Sequence, residues 1–140
     1  MKKIENIKAK AIELGACDKI GEVIDFASLA KLFFSPQGRE FCENNNFPNL
    51  TQWRGLRQGV EPFGIYVNSG DMELCNCHKV ALIGKTHAKI KVSGTECVRL
   101  IILMHGATAE IEASNYAVLK VVNISGGEVA IHNDNTTRIL

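Results

Sequence analysis

Beyond residue 64 the chain repeats itself about every twenty residues, and the repeat is carried by charges that flank a recurring apolar pair. Asp71-Met72-Glu73-Leu74 aligns with Lys89-Ile90-Lys91-Val92, then with Glu110-Ile111-Glu112-Ala113, then with Ala130-Ile131-His132, at steps of 18, 21 and 20 residues. Alternate side chains of a strand face opposite ways, so Ile90, Val92, Ile111, Ala113 and Ile131 share one face and the charged residues the other. The outer face then reads acidic, basic, acidic, histidine. Parallel, in-register stacking sets each basic pair beside an acidic pair, a contact worth roughly 0.2–1 kcal/mol. The pattern predicts a β-solenoid, in which each coil covers the apolar face of the one before.

A second strand per coil follows the same period. Gly64-Ile65-Tyr66-Val67, Val80-Ala81-Leu82-Ile83, Leu100-Ile101-Ile102-Leu103, Lys120-Val121-Val122-Asn123-Ile124 and residues 136–140 are rich in β formers, and Gly84, Gly106 and Gly126 close three of them. About four coils of two strands result, with Gly, Asn and Ser at the bends. The rival architecture is an antiparallel jelly roll or cupin-like barrel, which also has many short strands and Gly-rich turns. His78, His87, His105 and His132 are scattered singly and supply no cupin-type metal cluster.

The front of the chain carries helical signals instead. Ile4, Ile7, Ala11 and Leu14 fall on one helix face, and Gly15 stands where that helix ends. Asp25 is a good N-cap for a helix through Phe26, Leu29, Leu32 and Phe33, which Ser35-Pro36 stops. The same pair starts a third helix, with Ser35 as cap and Pro36 at the first position. Asn49 caps a fourth with Leu50, Trp53 and Leu56 on one side, after which Gly55 and Gly59 loosen the chain. The expected organisation is α+β, with a helical cap over residues 1–60 and a parallel solenoid over 61–140.

Composition excludes several classes. With 46% hydrophobic and 22% charged residues, neither disorder nor a membrane protein is indicated, and the apolar run at residues 100–104 is far too short to span a bilayer. Sixteen basic and 15 acidic residues divide evenly along the chain, which removes a general electrostatic case for nucleic acid. Residues 26–34 and 36–46 have the look of a helix–turn–helix, but the second helix offers only Arg39, beside Glu40 and Glu43. Met1-Lys2-Lys3 has no apolar segment behind it, so a cytoplasmic protein with five reduced cysteines is expected. Cys17 and Cys42 read as small buried hydrophobes.

The densest reactive cluster is Cys75-Asn76-Cys77-His78, with His87 further on. Two thiolates and imidazoles suit zinc, but structural sites space their cysteines by two to four residues and no second pair follows. Continued strand geometry would place Cys75 and Cys77 on one face and His78 on the other. Corner thiols are the simpler reading. Cys97 has Glu96 and Arg99 nearby but no base partner, and no phosphate loop or serine elbow occurs.

Residues 64–140, through rungs such as Ala88-Lys89-Ile90-Lys91-Val92-Ser93-Gly94 and Ala109-Glu110-Ile111-Glu112-Ala113-Ser114, resemble polymer-forming β-helix proteins of the bactofilin kind and short adhesin-head β-helices. Bactofilin coils are shorter, and neither family accounts for the helical front. The segment Leu32-Phe33-Phe34-Ser35-Pro36-Gln37-Gly38-Arg39-Glu40-Phe41-Cys42 is similar to uncharacterised small proteins of gut Bacteroidales and their mobile elements, which implies a bacterial or phage source and no activity.

A solenoid's ends carry its unpaired edges. The helices are placed in sequence to cover the first coil, and Arg138-Ile139-Leu140 lies within the last strand. The expected function is a non-enzymatic assembly or protein-interaction module that self-associates through those three residues, with no cofactor, nucleic acid or membrane. The alternative is a metal-binding protein or metal-dependent enzyme using Cys75, Cys77, His78 and His87.

Overall fold

The computed structural model describes residues 2–16 and 18–140. The chain divides into two compact units, Met1–Ile65 and Tyr66–Leu140.

The first unit holds four helices: α1 (Lys2–Glu13), α2 (Phe26–Phe34), α3 (Pro36–Asn45) and α4 (Leu50–Val60), with 3₁₀ turns at Asp18–Glu22 and Glu61–Phe63. The capping residues act as their chemistry requires. Asp25 accepts from the Ser28 amide at 2.8 Å while the Ser28 hydroxyl accepts from the Asp25 amide, and Asn49 and Gln52 make the same reciprocal box at the start of α4. Ser35 accepts from the Gly38 amide and places Pro36 at the first position of α3. Gly38 is obligatory for this α2–α3 junction, because a Cβ there would collide with the Leu32 carbonyl. The core is aromatic: Phe33 packs edge-on against Phe34 and Trp53, with ring centroids 5.4 and 5.1 Å apart.

Two expectations for the helices are corrected. Gly55 and Gly59 do not loosen α4, which runs through both to Val60. Gly59 instead leaves room for the Phe26 ring, which a Cβ would strike. Leu14 lies beyond α1 and is 45% exposed, since the chain turns at Gly15 with φ +89°. Cys42 is buried as expected, and Cys17 lies outside the described residues.

The second unit is a parallel β-solenoid of about four coils; the antiparallel barrel is excluded by the strand directions. Strands β1 (Ile65–Val67), β3 (Lys79–Ile83), β5 (Val98–Met104), β7 (Val118–Asn123) and β9 (Arg138–Ile139) lie in that order in one sheet. Strands β2 (Gly70–Cys75), β4 (Thr86–Ser93), β6 (Thr108–Ser114) and β8 (Val129–Asn133) form the other. Between them lies a core of Val80, Leu82, Ile90, Ile101, Leu103, Ile111 and Leu119. Each such side chain contributes roughly 1.5–3 kcal/mol on burial.

The charge ladder has the expected register at two of its three steps. Lys91 pairs Glu112, and Glu112 pairs His132. The first step differs: Glu73 lies beside Lys89, and Cys75 beside Lys91. The cause is one corner. The chain passes from Cys75 to Lys79 through three residues, whereas their partners Lys91 and Leu100 are joined by a span five residues longer. The shift is by two residues, so every side chain keeps its face.

Asparagines hold the tight corners. Asn68 and Asn76 adopt left-handed backbone angles, φ 49° and 51°, and their side-chain oxygens accept from the amides of Lys85 and Ser93 in the next coil at 2.8 and 3.0 Å. Gly126 serves a different need: a Cβ there would sit 2.6 Å from that of Leu103.

Candidate functional site

The terminal coil is built from β8 and β9, joined by a corner that Asp134 organises. One carboxylate oxygen of Asp134 accepts from the hydroxyl and amide of Thr136 at 2.7 and 3.0 Å and from those of Thr137, both at 3.1 Å. The other accepts from the Asn115 amide in the preceding coil at 3.2 Å. Led by the Thr136 hydroxyl, these donors together hold the carboxyl at about 2, against the opposing effect of desolvation. The corner thus ties the last coil to its neighbour through a solvent-facing carboxylate.

From there Arg138 donates its amide to the Ala117 oxygen at 2.9 Å and Leu140 to that of Leu119 at 2.8 Å. Among the described residues, β9 pairs only with β7, and β8 only with β6. Side-chain burial falls along this edge. Ile101 and Ile111 are fully buried, but Val121 and Ile131, one coil further on, are only partly buried. Ile139 and Leu140 are 44% and 60% exposed. An open β edge therefore coincides with an open stretch of apolar core.

The structure does not assemble the cysteine–histidine cluster. Strand β2 ends at Cys75, because Asn76 turns into the left-handed region. Cys75 is exposed, Cys77 turns partly into the core, and His78 is exposed. The expectation that Cys75 and Cys77 share a strand face is corrected by that turn. His87 pairs with Asp71 at the other end of the rung, while Lys91 faces Cys75. The four-residue step from His87 to Lys91 spans roughly 13 Å of strand. The His87 ring nitrogen Nδ1 instead meets the Thr108 hydroxyl at 2.6 Å. Among the described residues no group of three or more potential ligands is placed to hold a metal ion.

Burial pushes the Cys77 thiol up, opposed in part by the Arg99 guanidinium. Arg99 is the functional-looking group that sequence reasoning passed over. It is 3% exposed and reaches the carbonyls of Asn76, Cys77 and Ser93 at 2.8, 3.4 and 3.4 Å. Its visible signal was an arginine inside an apolar strand. The arrangement fastens a corner and offers no exposed charge to a substrate.

His105 and His132 keep structural positions. His105 occupies a left-handed corner, and its amide donates to Ser125 at 2.9 Å; His132 is exposed beside Glu112. Among the described residues no helix is long and apolar enough to cross a membrane. Comparison of the chain with protein-family models, with curated proteins and with solved structures gives no match.

Proposed function

We propose that the protein is a cytoplasmic, non-enzymatic assembly module that associates with a second copy of itself through its terminal coil. The observation that carries this reading is the opening of the core at Val121, Ile131 and Ile139, where the equivalent positions one coil earlier are closed. A second copy is the occupant whose coils repeat at the matching spacing. Apposed about a two-fold axis, the β8 and β9 edges of two copies meet edge to edge, and each covers the other's exposed apolar side chains. The described cysteines are free thiols, in keeping with a reducing compartment.

Light scattering at two protein concentrations tests the proposal. A dimer is expected for the native chain, and Ile139→Asp is expected to give a monomer with an unchanged circular dichroism spectrum. A native monomer at both concentrations, or a folded Ile139→Asp protein of undiminished mass, would overturn it. Metal analysis of the same sample addresses the alternative at Cys75, Cys77 and His78.

A further inference from the structure

The helical unit carries a half-open pocket of about 400 Å³. Among the described residues its walls are apolar: Ile7 and Ala11 of α1, Leu29 and Phe33 of α2, Phe41 of α3 and Trp53 of α4. Sites for small organic ligands occupy roughly 300–1,000 Å³ and have this composition, with a few polar groups fixing orientation. An apolar guest seated there would take its own apolar surface, and that of the walls, out of water.

The polar margin narrows the class of guest. It consists of the amides of Gln37, Asn44 and Asn45, with Glu40 the single charged side chain on the lining. A carboxylate guest would lose its hydration on the apolar walls with no lysine, arginine or histidine among the described lining residues to offset that cost. A cationic guest pays the same desolvation cost, and a carboxylate as exposed as that of Glu40 returns little of it. Amides both donate and accept, which suits a hydroxyl. Asn45 Nδ2 already donates to the Phe41 carbonyl at 3.0 Å, which leaves its oxygen as the acceptor.

We infer that this cavity is a binding site for a small uncharged lipophile with a hydroxyl at one end, its chain against Phe33, Phe41 and Trp53 and its hydroxyl at the Asn45 amide. The site binds and does not react. The one cysteine among the described lining residues, Cys42, has its thiol pushed up to about 12 by burial, so it stays protonated and non-nucleophilic at neutral pH.

Trp53 is the single tryptophan of the chain, so its fluorescence reports on this cavity. The full chain would be titrated with 1-decanol, decanoate and decylamine at neutral pH. The expected result is a saturable change with 1-decanol, and binding at least tenfold weaker for both charged analogues. Ala11→Phe fills the cavity from α1, and Ala16→Phe blocks it from the loop beyond. Each is expected to weaken 1-decanol binding at least tenfold while the melting transition remains cooperative, and the second keeps the test alive if the first does not fold. No saturable change with 1-decanol, equal binding of decanoate or decylamine, or undiminished binding by a folded cavity-filling variant would overturn the inference.

Discussion

Arg99 Nη1 donates a 2.8 Å hydrogen bond to the backbone oxygen of Asn76, and so fastens β5 to the corner between β2 and β3. The guanidinium is buried with no carboxylate beside it, and its Nε–H has no acceptor among the described residues. A buried charge held only by carbonyls is costly to bury and costly to remove. It is tolerated here because the short corner turns several carbonyls inward at one place.

Arg99→Ala leaves the Asn76, Cys77 and Ser93 carbonyls without this donor and opens a void. A loss of about 2 kcal/mol is expected from hydrogen bonds to a charged group. Arg99→Lys should recover less than half of it, since one ammonium cannot reproduce the spread of a guanidinium. Urea denaturation of the two variants checks both statements; equal stability of Arg99→Ala and the native chain would contradict them.

Two glycines of the helical unit should respond in opposite directions. Gly38→Ala drives a Cβ into the Leu32 carbonyl, an overpacking that costs about 1–3 kcal/mol. Gly55 lies within α4 with open space around its Cβ position, so Gly55→Ala should stabilise by about 0.5–1 kcal/mol through helix propensity. Thermal melts of the pair decide the matter, and the sign of each shift is the readout.

Asp134 gives the terminal coil a pH dependence. Its carboxyl is lowered from an ordinary 3.8 to about 2, chiefly by the Thr136 hydroxyl, so the folded state favours the ionised form. A lowered folded-state value means that the contribution is fully present above about pH 3.8 and is lost as pH falls through about 2. The difference in melting temperature between the native chain and Asp134→Ala should therefore hold steady from pH 7 to 5 and shrink between about pH 4 and 2. A difference that does not change with pH would show that the carboxylate charge plays no part.

The charge ladder, though the clearest mark of the repeat, should contribute little to stability. Lys91 and Glu112 approach to 4.0 Å with both side chains largely exposed. Lys91→Ala is expected to change stability by less than about 0.5 kcal/mol. Its melting temperature should also be nearly indifferent to salt. The ladder's use is in register: sliding one coil by a single residue would turn its charges into the core.

The repeat was legible because a two-residue side-chain period and a twenty-residue coil leave separate marks, one in alternation and the other in spacing. The helix starts at Asp25, Ser35 and Asn49 were legible because capping is local chemistry, complete within four residues. The 18-residue first step was misread because a corner's length is set by what it must clear in the coil beside it. Asn76 gave no local indication that the chain turns there after Cys75 and not further on. The same corner turns Cys77 off the face that Cys75 holds, since ligand spacing along a chain says nothing of direction once the strand ends.

The sequence by itself determined the helical front, the parallel coils and the inward apolar face, all of which follow from local propensity and periodicity; the final strand is shorter than the expected 136–140, at Arg138–Ile139. Only the tertiary structure decided that Arg99 is buried at a corner, that His87 lies far along the rung from Cys75, and that α1 to α4 leave a cavity beside Trp53. The physical reason is that burial, enclosure and approach depend on residues distant in the chain. No local pattern encodes where those residues meet.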